Sequence, residues 1–155
     1  MSIYLVRHAK AGFRSRWEDD DRLRPVSKAG QLQARRFVDV LDRMHFERIV
    51  SSPYVRCIES VAPIASVRGL AIEVSDALAE GAPVEDALTL VRKHAHGGAV
   101  LCSHGDVIQN LLEHVAKNGV DLGPKPAFPK GSTWVLDTDG HGDVTAARYL
   151  PAPEG

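Results

Sequence analysis

Apolar positions along the chain change their period several times. Ile3-Tyr4-Leu5-Val6, Arg48-Ile49-Val50 (within about 47–51), residues 70–74 and Ala99-Val100-Leu101-Cys102 read as strands. After the first strand, Ala34, Phe37, Val38, Leu41 and Met44 share one helical face, with Ser27 placed to cap its start. A second helix is expected from Pro53, and Pro63 should kink it or end it near Ala62. Val84, Ala87, Leu88 and Val91 mark a third, opened by Pro83 at its first position. Val107, Ile108, Leu111, Leu112 and Val115 mark a fourth, closed by Asn118-Gly119. Residues 132–137 and 143–149 flank Asp-Gly-His-Gly and read as a hairpin. Strands alternating with helices predict a three-layer α/β/α sandwich around a mostly parallel sheet.

A length of 155 residues with 44% hydrophobic content fits one domain, 1–155. No run approaches a membrane span, and the N-terminus leads straight into a strand rather than a signal peptide. The two cysteines, Cys57 and Cys102, have no disulfide or metal-ligand spacing, so a cytoplasmic location is expected. Cys102 reads as a small core residue on its strand. The net charge of −1 argues against nonspecific nucleic-acid binding. Charge is uneven, however: residues 1–36 carry nine Lys or Arg against four acids, a local field that attracts anions.

Three motifs stand where strands run out. These are Arg7-His8, Ser51-Ser52-Pro53-Tyr54-Val55-Arg56 and Ser103-His104-Gly105. Carboxyl ends of parallel strands converge on one crevice, so two arginines and two histidines should meet there. Two guanidinium forks and two imidazoles suit a phosphoryl group. His8 can attack phosphorus through one ring nitrogen while the other donates to a backbone carbonyl. Ser52 should cap the helix that starts at Pro53, with Arg56 one turn further on, pointing back to the crevice. Gly105 allows close approach of the backbone, and His104 can donate to a phosphoryl oxygen.

Residues 9–26 form a long polar stretch without periodicity, the mark of a binding loop or lid held loosely by the core. Its Lys10, Arg14, Arg16, Arg22 and Arg24 are candidate substrate contacts. Glu18-Asp19-Asp20-Asp21 should pair with those bases rather than hold Mg²⁺, and His94-x-His96 reads as a polar helix end. No metal or cofactor is required by these residues. Lys125 and Lys130 in the Pro-rich segment are further cations that could approach the site mouth.

The constellation resembles the histidine phosphatase superfamily, which includes the cofactor-dependent phosphoglycerate mutases. Ala9 stands where the usual pattern has glycine after Arg-His. Arg-His-Ala-Lys-Ala, followed by Asp-Arg-Leu-Arg-Pro-Val-Ser-Lys-Ala-Gly, looks like the short branch typified by SixA, a phosphohistidine phosphatase. The resemblance implies His8 as nucleophile, Arg7, Arg56 and His104 as phosphate pocket, and Glu80 at the position of a proton donor. Ser60, where many relatives have threonine, and Pro63 are departures that touch none of those four pocket residues. The expected activity is a metal-independent phosphatase acting through phospho-His8 on a phosphohistidine protein or a small phosphorylated molecule. A mutase-type phosphotransferase, a nucleotide-directed phosphatase like domains fused to Nudix hydrolases, and a non-catalytic phosphate-binding module are the alternatives.

Overall fold

Each predicted strand is present in the computed structural model, which describes residues 1–155. In chain order the elements are β1 (Ser2–Arg7), α1 (Lys28–Val40), β2 (Arg48–Ser51), α2 (Val55–Arg68), β3 (Ile72–Val74), α3 (Val84–Lys93), β4 (Ala99–Ser103), α4 (Gly105–Lys117), β5 (Thr133–Thr138) and β6 (Val144–Leu150). They build one six-stranded sheet in the order β3-β2-β4-β1-β5-β6. β3, β2, β4 and β1 run parallel, and the β5–β6 hairpin closes that edge antiparallel.

Strand periodicity explains the layers. Ile3 and Leu5 point into a core shared with α3 and α4 residues such as Leu88, Val91, Ile108 and Leu111. Tyr4 and Val6 point the other way, against Phe37 and Leu41 of the α1 segment and Val61 and Ile64 of α2. Because both faces are covered, these strands are continuous apolar runs rather than alternating ones. β1 and β4 are neighbours, yet the chain leaves β1 for α1 on one face and leaves β4 for α4 on the other. A crevice opens between two such strands at their carboxyl ends.

Several expectations about boundaries change. Pro63 does not end α2, which continues to Arg68 and closes on Gly69 in the left-handed region (φ 65°). Val61, Ile64 and Ala65 are buried on either side of the proline. Their packing outweighs the hydrogen bond that Pro63 cannot donate, a loss of about 3 kcal/mol in a helix interior. The same helix starts at Val55, not Pro53, because Tyr54 is extended (ψ 137°). Pro83 is the residue before α3 rather than its first, and the strand expected over 70–74 is ordered only at Ile72–Val74. Ser27 caps α1 as expected, its Oγ accepting the Gly30 N–H at 3.1 Å. No helix is long and apolar enough to cross a membrane.

Candidate active site

The strand register lines up the three motifs. Arg7 pairs with Ser103 across β1 and β4, and Ser51 pairs with Cys102 across β2 and β4. Arg7, His8, Arg56, His104 and Gly105 consequently line one cavity of about 330 Å³, together with Arg14, Arg24, Glu80, Asp106 and Lys130.

His8 is 5% exposed. Its Nδ1 lies 2.8 Å from the Ala9 carbonyl, which can only accept, so Nδ1 carries the proton and Nε2 keeps its lone pair. Burial pushes the His8 pKa down to about 3, with His104, Arg56 and Arg7 lowering it further and the Ala9 contact opposing. The ring is therefore neutral at neutral pH, the form a nucleophile requires. Ala9 is itself held: its N–H donates to Ser60 Oγ at 2.8 Å, and Ser60 Oγ–H donates to the Arg56 carbonyl at 2.6 Å. Ser60 thus ties the His8 turn to the helix carrying Arg56, a link the sequence reading missed. A hydroxyl one turn after Arg56 was the available signal.

Arg7 donates through one terminal nitrogen to the Phe128 carbonyl at 2.9 Å, and burial lowers its pKa while Asp106 opposes. Gly105 leaves room for this side chain, since a Cβ would lie 2.9 Å from the Arg7 guanidinium carbon and push it from its place. The close approach expected at this glycine is made by Arg7. His104 sits with its ring 5.5 Å from that of His8 and 4.6 Å from that of Tyr54. Ser52 Oγ contacts His104 Nε2 at 2.8 Å and accepts the Tyr54 N–H at 3.2 Å. Ser52 is fully buried and does not line the cavity, so its expected roles as helix cap and substrate contact give way to one behind His104. Ser52 Oγ already accepts the Tyr54 N–H, and Nε2 is the nitrogen or oxygen acceptor in reach of its own proton; that donation leaves the His104 proton on the other ring nitrogen. That nitrogen, Arg7 Nε and Arg56 Nε are buried donors without a protein acceptor. Three such donors beside a neutral imidazole form an anion site.

The loop from Ala9 to Val26 is tied down more firmly than its composition suggested. It contains short 3-10 turns at Arg14–Arg16 and Asp21–Leu23, and Ala11 bridges Val26. Arg24 is 6% exposed and pairs with Asp21 at 2.9 Å. Arg56 donates to the Asp21 carbonyl at 2.8 Å and to its carboxylate at 3.0 Å. Against the cost of burial, Arg24 and Arg56 hold the Asp21 carboxyl below its ordinary pKa. Between its buried ends, Ala9 and Val26, ion pairs fix this segment. Of its cations only Arg14 and Arg24 reach the cavity. Lys10 is exposed, its backbone N–H donating to Gln33, Arg16 lies over the Phe13 ring, and Arg22 pairs outward with Asp20 at 2.9 Å.

Glu80 reaches the cavity as expected, gripped by Arg14 at 2.9 Å and lying 3.6 Å from Arg56. Asp106, missed in the sequence, accepts the Gly81 N–H at 2.8 Å and so positions the Glu80 turn. Lys130 faces the arginines: burial lowers its pKa first, then Arg7, Arg24, Arg56 and Arg14. Cys102 is fully buried, and burial beside Cys57 raises its thiol well above the ordinary value, as befits a core residue. No group of three or more His, Cys, Asp or Glu side chains is placed to hold a metal ion.

The sequence profile of the histidine phosphatase superfamily (branch 1) matches residues 3–83. The chain belongs to the histidine phosphatase superfamily. An 8-oxo-(d)GTP phosphatase of Mycolicibacterium smegmatis is 31% identical over 158 residues, covering 99% of this chain and 49% of the relative. The chain thus spans about half the length of the curated relative it matches. Among solved structures, the protein histidine phosphatase SixA in complex with tungstate superposes with a TM-score of 0.79 at 17% identity, over 99% of this chain and 97% of that one. A chain assigned to the SixA type from Agrobacterium tumefaciens gives 0.78 at 24% identity, over 98% of each. Both likenesses bear out the expected fold.

Proposed function

We propose that this chain hydrolyses a phosphoryl compound in two steps through His8, without a metal. His8 Nε2 attacks phosphorus, a P–N bond forms, and the bond to the leaving oxygen or nitrogen breaks. Water then attacks the phosphohistidine, releasing phosphate and the neutral imidazole. One observation carries this reading: the unpartnered donors of Arg7, Arg56 and His104 line the same cavity as a neutral, tautomer-fixed His8. Charge spread over the phosphoryl oxygens in the transition state would be met by those donors. Glu80, ion-paired to Arg14, is the candidate proton donor for leaving groups that need one.

The relatives name two substrate classes, phosphohistidine protein and purine nucleoside triphosphate. Either delivers a phosphoryl group from a good leaving group to His8. The test is turnover of acetyl phosphate in EDTA together with trapping of the phosphoenzyme. An acid-labile, base-stable phosphoprotein should form in the native chain and be lost, with all turnover, in His8→Ala. Turnover that survives in His8→Ala would overturn the reading.

A further inference from the structure

Beside the His8 cavity lies a second one of about 340 Å³, and the two share Gly12, Phe13 and Arg24. Phe13, Trp17, Pro25 and Val26 give the second cavity its apolar walls. Phe13 is 71% exposed, more than any other exposed large hydrophobic residue, and it belongs to neither hydrophobic core. A large aromatic ring mostly in water lies outside both cores of the fold. It is instead presented beside the reaction centre. One face of the ring already carries a planar delocalised group, the Arg16 guanidinium, 5.2 Å from its centroid.

Charge points the same way. The His8 cavity is lined by five cations, Arg7, Arg14, Arg24, Arg56 and Lys130, against the two carboxylates Glu80 and Asp106. Arg7 and Arg56 with His104 suffice for the phosphoryl group that is transferred. Arg14 is engaged by Glu80 and Arg24 by Asp21, which leaves Lys130, facing the cluster of arginines, as the cation with no carboxylate partner; Arg24 stands on the border between the two cavities.

The geometry points to a nucleobase subsite on Phe13 and Trp17, making the substrate a nucleoside 5′-polyphosphate. This rests on the proposed phosphoryl transfer to His8. The base lies in the apolar cavity, stacked on an aromatic ring, which tolerates any flat heterocycle. The inner phosphates run past Arg24, Arg14 and Lys130 to His8. For a nucleoside diphosphate, His8 Nε2 bonds to the terminal phosphorus, the anhydride P–O bond breaks, and the nucleoside monophosphate departs with the electron pair. Water then cleaves the P–N bond to give inorganic phosphate. A phosphate leaving group needs no proton, which suits a Glu80 already engaged by Arg14.

The test compares GDP with acetyl phosphate, a good phosphoryl donor that has no base. Phe13→Ala should raise KM for GDP, relative to KM for acetyl phosphate, by about 5-fold or more, the loss expected for one stacking partner. Phe13→Tyr should restore the native ratio. GDP should also quench Trp17 fluorescence in His8→Ala, where no turnover occurs; Trp134, the other tryptophan, is buried at 3% exposure. An unchanged KM ratio in Phe13→Ala, or equal losses on both substrates, overturns the subsite. Turnover of acetyl phosphate but not GDP by the native chain overturns the nucleotide class and leaves the His8 reading intact. Failure on both substrates, with no phosphoenzyme trapped, overturns the His8 reading itself.

Discussion

Ser60 carries more of the site than its size implies. Its single oxygen receives the Ala9 N–H and donates to the Arg56 carbonyl, both away from water. The Ala9 carbonyl in turn fixes the proton on His8 Nδ1. Ser60→Ala removes the acceptor and leaves a buried N–H unpaired, at a cost of about 1–3 kcal/mol in stability. It should also lower kcat for every substrate, because the His8 turn loses its tether to the Arg56 helix. Ser60→Thr keeps the hydroxyl and should recover most of the rate. Urea unfolding and steady-state kinetics on the two variants check this. Equal rates in Ser60→Ala and the native chain would show the tether to be irrelevant to catalysis.

Helix α2 and the loop before α1 illustrate opposite ways of overriding local preference. In α2, Pro63 leaves the Glu59 carbonyl without its intrahelical donor, and buried neighbours carry the helix on past it. Pro63→Ala restores that donor without touching the cavity. It should raise stability by about 1–3 kcal/mol, with kcat/KM unchanged. A thermal melt checks this; a lower Tm would show that the proline fits a conformation alanine cannot support. In the loop, the composition called for loose attachment, and Asp21 supplies the tie by joining Arg24 to Arg56. That the loop's acids pair with its own bases follows from their closeness in sequence. The pairing of Asp21 with Arg56 does not follow, because that partner lies 35 residues away.

For the molecule as a whole, the buried histidine links catalysis to stability. The folded chain holds His8 at a pKa of about 3, against 6.5 for the exposed group. Between those values the unfolded chain binds the extra proton, so stability rises with pH across this window. The contribution is complete above about pH 6.5 and is lost progressively as pH falls toward 3. Unfolding free energy measured from pH 4 to 7 should therefore increase, and the increase should be smaller in His8→Gln. The acid limb of kcat/KM that belongs to His8 should lie near pH 3, well below the ordinary histidine range. A limb near 6.5 assigned to His8 by mutation would contradict the burial described here.

The linear sequence by itself determined the alternation of strands and helices, the hairpin, the Ser27 cap and the four residues Arg7, His8, Arg56 and His104. Each of these is written in periodicity or turn chemistry within a few residues, and parallel strands bring their carboxyl ends together in any order. Only the tertiary structure decided which charges meet. Arg14 grips Glu80 across 66 residues and Arg56 holds Asp21 across 35, while Lys10, Arg16 and Arg22, equally basic and equally close in sequence, face elsewhere. Ion pairs and buried hydroxyl tethers depend on the strand order and on which face each helix covers. Those are properties of the packed sheet, and no local pattern encodes them.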